Sequence, residues 1–161
     1  MINCQFEDKN KASLRHVTVD TIIVKAGKVL LGKRGTFRGK PILESGKWGL
    51  IGGFLERDEN LEQAVRREAR EETGLELKNI FLLKINDNPN RPAEDRQNVS
   101  MIFVAEPEGD EKVNSEEVWE LRWFDLEDLP PYEQIAFDFS ENLKLYKNYL
   151  KEKFDLPMIS H

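Results

Sequence analysis

GFLERDENLEQAVRREAREETGL, residues 53–75, decides how this chain is read. Asn60 is a helix-capping residue type, and Gln63 stands at the third helical position, as in a capping box. Gly74 suits the left-handed position that closes a helix. The spacing therefore predicts a helix over residues 61–73. At about 100° per residue, Leu61, Ala64 and Leu75 fall within about 40° of Glu68, and Glu71 and Glu72 flank it within about 60°. Glu62, Gln63, Arg66 and Arg70 project to the other side. The apolar stripe that should face the protein is thus the stripe bearing three carboxylates, with Arg67 at its edge. Like charges at these spacings repel, and burying them requires a cationic partner. The helix alone admits two readings. One is a solvated helix with a Glu62–Arg66 pair; the other is a divalent-cation site built from oxygen ligands.

The wider stretch separates them. Gly53, Glu59, Arg67, Glu68, Glu71, Glu72, Gly74 and Leu75 match the spacing G-x5-E-x7-R-E-U-x-E-E-x-G-U, where U is apolar. This is the pattern of the Nudix box, and in it the chain resembles the MutT-related Nudix hydrolase superfamily. WGLIGGFLE, residues 48–56, resembles the segment that leads into the box, and ELRWFDLEDLP, residues 120–130, resembles a late strand of the superfamily. Ile51, Asp58 and Ala69 depart from common choices, but they affect loop shape and packing rather than the carboxylates.

The resemblance implies an α/β Nudix fold, a mixed β-sheet sandwiched between helices. It also implies a hydrolase that cleaves the pyrophosphate bond of a nucleoside diphosphate linked to another moiety. Mg²⁺, with Mn²⁺ as a substitute, is the implied cofactor. Glu68, Glu71 and Glu72 would be its ligands, with the Gly53 carbonyl as a fourth. Arg67 would hold the carboxylates in position, and Glu59 would pair with it or bind a further ion together with Glu56. Glu68 and Glu71, with Arg67, carry the implied catalytic roles. The general base is Glu68 or a remote acid, Glu117 or Glu120, in the turn SEEVWE of residues 115–120. A net charge of −6 argues against a nucleic-acid polymer as partner but not against a small anionic substrate, since a local basic pocket or a bound cation can override it.

NDNPNRPAEDRQN, residues 86–98, is long for a plain connection. Pro89, the following arginines and the strand-like NVSMIFVA resemble ADP-ribose pyrophosphatases of the superfamily. Arg91 and Arg96 are therefore candidate contacts to phosphate or ribose, with ADP-ribose cleaved to AMP and ribose 5-phosphate. A MutT-type (deoxy)nucleoside triphosphate pyrophosphohydrolase, acting also on oxidised nucleotides, is the alternative. A nucleotide-sensing binding module is the reading from another class. Arg34 and Arg38 are candidate phosphate contacts or solvated loop residues. Trp48 is a candidate substrate contact, with burial in the core as its simpler role.

The rest of the chain frames one domain over residues 1–161, with residues 1–15 as an N-terminal extension. HVTVDTIIV and VLLGKR, joined by KAGK, form an expected hairpin. WGLI is expected to be a short strand ended by Gly52 and Gly53. Asp125–Leu129 is expected to make a helical turn, and the apolar spacing of Phe139, Leu143, Tyr146 and Leu150 predicts a helix from Phe137 to about Lys153. Cys4 is the only cysteine, no apolar run is long enough for a membrane span, and the N-terminus lacks a signal-peptide core. The expected setting is the cytoplasm, without membrane contact. The expected partner is a small nucleotide-derived substrate, and the resemblance leaves room for a homodimer.

Overall fold

The computed structural model describes residues 2–91 and 97–160. The chain opens with a hairpin, β1 (Ile2–Gln5) and β2 (Lys11–Leu14), which forms a separate two-stranded sheet. The extension is therefore folded. The main sheet starts at β3 (Val17–Lys25), which turns through a left-handed Ala26 and Gly27 into β4 (Lys28–Arg34). A small flap hairpin follows, β5 (Thr36–Phe37) and β6 (Lys40–Pro41). Next come β7 (Trp48–Gly49) and β8 (Ile51–Phe54), then α1 (Leu61–Thr73), β9 (Glu76–Asn86), β10 (Val99–Glu108) and β11 (Val118–Asp125). After a 3₁₀ turn at Tyr132–Gln134 the chain ends in α2 (Phe139–Lys151) and β12 (Met158–Ser160).

The strand order β11-β4-β3-β10-β9-β12 is mixed. β10 runs parallel to β3 and β12 parallel to β9, while the other neighbours on this path are antiparallel. Side chains alternate across the sheet, as the pleat requires. Ile22, Val29, Leu31, Ile102 and Val104 join the core beneath α2, with Phe139, Leu143 and Tyr146. Val19, Ile23, Leu30, Phe103 and Ala105 join the core beneath α1, with Ala64, Val65 and Ala69. The sheet thus lies between the two helices, as expected.

Three expectations need correction. The strand after Trp48 does not stop at the double glycine, because Gly52 and Gly53 pair with Asp20 and Val19 of β3 and carry β8 on to Phe54. Without side chains, these residues let the strand come close to β3: a Cβ on Gly52 would stand 2.0 Å from the Val19 carbonyl oxygen. Asp125–Leu129 forms a hydrogen-bonded turn, with Asp125 accepting from the Glu127 amide, rather than helix. The second helix begins at Phe139, two residues later than expected, because Phe137 is left-handed. No helix among the described residues is long and apolar enough to cross a membrane.

Candidate active site

The capping box forms as read. The Asn60 side chain accepts from the Gln63 amide at 2.9 Å, and the Gln63 side chain accepts from the Asn60 amide at 2.8 Å. Gly74 closes the helix in the left-handed region. The buried stripe is rotated from the expected one, toward Ala64, Val65, Ala69 and Thr73. Glu68 and Glu72 consequently lie at the edge of the buried face, and Glu71 is at the rim with its side chain 57% exposed.

Arg67 organises this edge. Its Nε and Nη2 donate to the two oxygens of Glu59 at 3.0 and 2.7 Å, and Nη2 also donates to the Phe54 carbonyl. Its Nη1 donates to Glu68 Oε1 at 2.7 Å and Glu71 Oε2 at 3.0 Å. Glu59 is held below the usual carboxylate range by this guanidinium. Glu68 goes the other way: burial outweighs the pull of Arg67 and pushes its carboxyl up to about 7, with Glu71 and Glu117 adding to the rise. Glu72 is also raised, by burial first and then by Glu68, against the opposing hydrogen bond from the Gly52 amide at 3.1 Å. Gly53 runs directly beside Glu68, so close that a Cβ there would meet Glu68 Oε1 at 2.4 Å.

Glu68, Glu71 and Glu72 line a cavity of about 730 Å³, whereas Glu59 is taken up by Arg67 and does not line it. Glu56, Glu68, Glu71, Glu72 and Gly53 form one wall, and Glu117 also reaches it. Arg34 lies opposite in charge, raised in pKa by Glu72, Asp20 and Glu117 but lowered overall by burial. Its Nε donates to the Leu43 carbonyl at 2.8 Å, and its guanidinium lies 4.9 Å from the Phe137 ring centre. Lys40 of the flap adds a second cation.

The donor set fits a hard divalent cation. Every candidate ligand offers oxygen, and Glu68 and Glu72, half-buried at the edge of α1, are both raised in pKa chiefly by burial, a cost that a bound cation would offset. Among the described residues, no three acidic groups already converge on one point. Arg67 instead stands between Glu68 and Glu71.

Other candidates fare differently. Arg91 lines the cavity, but its Nε and Nη2 grip Asp138 at 3.1 and 2.7 Å, so it ties the loop to the start of α2. Arg96 lies outside the described residues. Trp48 does not line the cavity: it is 6% exposed, sits in the core under α2 and meets Phe124 edge-on at 4.9 Å. Glu120 is not at the cavity either, since it pairs with Arg122 on β11. Arg38 reaches its own neighbour Phe37 rather than the cavity.

Asp20 joins the site from outside the box motif. It is buried in the cavity floor, accepts a hydrogen bond from the Ser100 hydroxyl, and is raised in pKa chiefly by burial. An acid in the middle of the apolar run VTVDTIIV was the available signal.

The NUDIX domain family model matches residues 14–145. An ADP-ribose pyrophosphatase from Methanocaldococcus jannaschii is 37% identical over 137 residues, covering 85% of this chain and 74% of the relative. A crystal structure of a MutT NUDIX hydrolase from Burkholderia pseudomallei is 30% identical with a TM-score of 0.70, covering 83% of this chain and 98% of that one. The NUDIX domain of Shewanella oneidensis NrtR, crystallised with ADP ribose, is 27% identical with a TM-score of 0.70, covering 86% and 90%.

Proposed function

Because the chain belongs to the NUDIX domain family, we propose that it is a Mg²⁺-dependent pyrophosphohydrolase whose preferred substrate is ADP-ribose, cleaved to AMP and ribose 5-phosphate. The observation that carries this reading is one cavity wall bearing Glu56, Glu68, Glu71 and Glu72, with Arg34 and Lys40 also lining the space. Glu68, Glu71 and Glu72 would hold the ion, with the Gly53 backbone close by, and Glu56 is placed to help with a second. When bound, Mg²⁺ supplies charge neutralisation at the phosphates and lowers the pKa of water.

The chain's own residues do the rest. Arg67 fixes the glutamate rotamers through bonds to three carboxylates. Arg34 and Lys40 attract the diphosphate from other parts of the cavity. Glu117 faces the same space and serves as the base that takes the proton from the attacking water. Arg91, held by Asp138 at the same cavity, would meet the part of the substrate beyond the phosphates. The reading also includes Mn²⁺ as a substitute ion, a cytoplasmic setting and a homodimer.

The 30% identity to a MutT NUDIX hydrolase favours a second reading, cleavage of (deoxy)nucleoside triphosphates. A panel of ADP-ribose, NADH, dinucleoside polyphosphates, dGTP and its oxidised form, each with Mg²⁺, separates them by kcat/KM and by product. Preference for ADP-ribose with AMP as product supports the first reading. Preference for a triphosphate with pyrophosphate release moves the protein to the second. Turnover of no compound, despite tight binding of one, makes it a sensing module.

A further inference from the structure

The flap of residues 35–47 supplies Phe37, Lys40, Pro41, Ile42 and Leu43 to the cavity wall. By itself it is a weak element, a hairpin with two residues per strand. Its tip, Arg38–Gly39, has positive φ at both residues, as a type I′ hairpin turn requires. Its far arm is held by Arg34 Nε on the Leu43 carbonyl and by the Ser45 hydroxyl on the Gly35 carbonyl, both at 2.8 Å, whereas its near arm and tip are held by the turn before β11. The Gly35 amide donates to the Glu117 carbonyl at 2.8 Å, and the Thr36 amide donates to the Glu116 carbonyl at 2.9 Å. The Glu116 carboxylate then reaches the tip: Oε1 accepts from the Arg38 amide at 2.6 Å, and Oε2 stands 3.5 Å from the Gly39 amide. Gly35 is buried under Trp119, and a Cβ there would meet the Glu116 carbonyl oxygen at 2.5 Å and the Trp119 ring at 2.6 Å.

We infer that Glu116 is a positioning residue that latches the flap over the cavity, and that the same two-residue turn presents Glu117 to it. Glu116 itself does not line the cavity, whereas its neighbour Glu117 does. The turn therefore has two outputs. One side chain clamps the lid of the site, and the next faces the reacting groups. A carboxylate accepting from backbone amides makes a stronger bond than a neutral acceptor and needs no other flap side chain to form. Releasing it loosens the tip, with Phe37 and Lys40 beside it on the cavity wall, while Leu43 stays held by Arg34 and α1 with its glutamates is untouched. The effect belongs in substrate binding rather than in the chemical step.

The inference rests on the cavity being the active site, and the test separates the two claims. Glu116→Ala and Glu116→Gln are compared with the wild type by trypsin cleavage after Arg38, by amide exchange of the flap against α1, and by KM and kcat on the best substrate of the panel. Glu116→Ala is expected to speed cleavage after Arg38 and raise flap exchange roughly tenfold. Exchange in α1 is expected to stay unchanged, and KM to rise while kcat remains within about threefold. Glu116→Gln keeps an acceptor oxygen and is expected to recover most of each property. Unchanged cleavage and exchange in Glu116→Ala would overturn the latch, as would a fall in kcat at constant KM. If the wild type turns over nothing, the cleavage and exchange results still decide the latch, and only the proposed activity fails.

Discussion

Adding one methyl group at Gly53 perturbs the glutamate array without removing a charge. Gly53 lies in β8, paired with Val19, and its backbone is not in the left-handed region, so alanine introduces no conformational strain there. The new Cβ would stand 2.4 Å from Glu68 Oε1, 2.7 Å from its Cδ and 2.9 Å from Oε2. To restore an ordinary 3.4 Å contact with the nearest oxygen, the carboxylate has to retreat by about 1 Å. A ligand displaced that far costs roughly a hundredfold in rate when it fixes reacting groups. The backbone cost is small, because the clash falls on the far end of a side chain that can turn. Gly53→Ala is therefore expected to lose roughly a hundredfold in kcat/KM and to need more Mg²⁺ for half-maximal rate, with a melting temperature close to wild type. The assay is initial rate against substrate at several Mg²⁺ concentrations, beside a thermal melt. Activity within threefold of wild type at every Mg²⁺ concentration would refute the reasoning, since Glu68 would then have no geometric demand at that wall.

Other outcomes follow from the same geometry. Glu68 has its folded-state pKa raised from an ordinary 4.5 to about 7, so the folded, metal-free protein holds this proton more tightly than the unfolded chain, and stability falls as pH rises between those values. In EDTA, denaturation of wild type against Glu68→Gln should show the variant gaining about 3 kcal/mol on wild type between pH 4 and pH 8; a pH-independent difference would contradict the burial argument. Glu117→Gln is expected to lower kcat by roughly a hundredfold or more, while Glu120→Gln, away from the cavity, stays within about threefold; equal effects in the steady-state assay would remove Glu117 as base. Trp48→Ala should destabilise the fold by about 3–5 kcal/mol in urea titrations, and a change in KM alone would return Trp48 to the substrate site.

What could be read in advance was local. Asn60, Gln63 and Gly74 state the limits of α1 through their own hydrogen-bonding and conformational preferences, and the three glutamates stand out because the wheel sets them along an apolar stripe, although the face that is buried is rotated so that Glu68 and Glu72 lie at its edge and Glu71 at the rim. The β3–β4 hairpin is likewise visible in β-branched runs around a glycine turn. The floor of the cavity was hidden because it depends on long-range pairing. Asp20 meets Ser100 only after β10 docks parallel to β3, and Arg91 meets Asp138 only after α2 packs on the sheet. Trp48 could be core or site by composition, and the choice came from Phe124 and Ile135, both distant in sequence. Glu117 and Glu120 looked equivalent as acids of one turn. The strand that starts at Val118 separates them, sending one to the cavity and the other to Arg122. β12 escaped notice because three residues carry almost no pattern, and it exists through parallel pairing with β9.

The central claim is that the glutamates at the edge of α1 hold a divalent ion, and calorimetric titration of Mg²⁺ into wild type and Glu72→Gln tests it most directly. Glu72 is anchored by the Gly52 amide and raised in pKa by burial and by Glu68, and its replacement keeps shape while removing one anionic ligand. The account predicts saturable Mg²⁺ binding with proton release by the wild type near neutral pH, and binding weakened by at least roughly tenfold in the variant, with turnover falling in parallel. Equal Mg²⁺ affinity and equal turnover in the two proteins would contradict it.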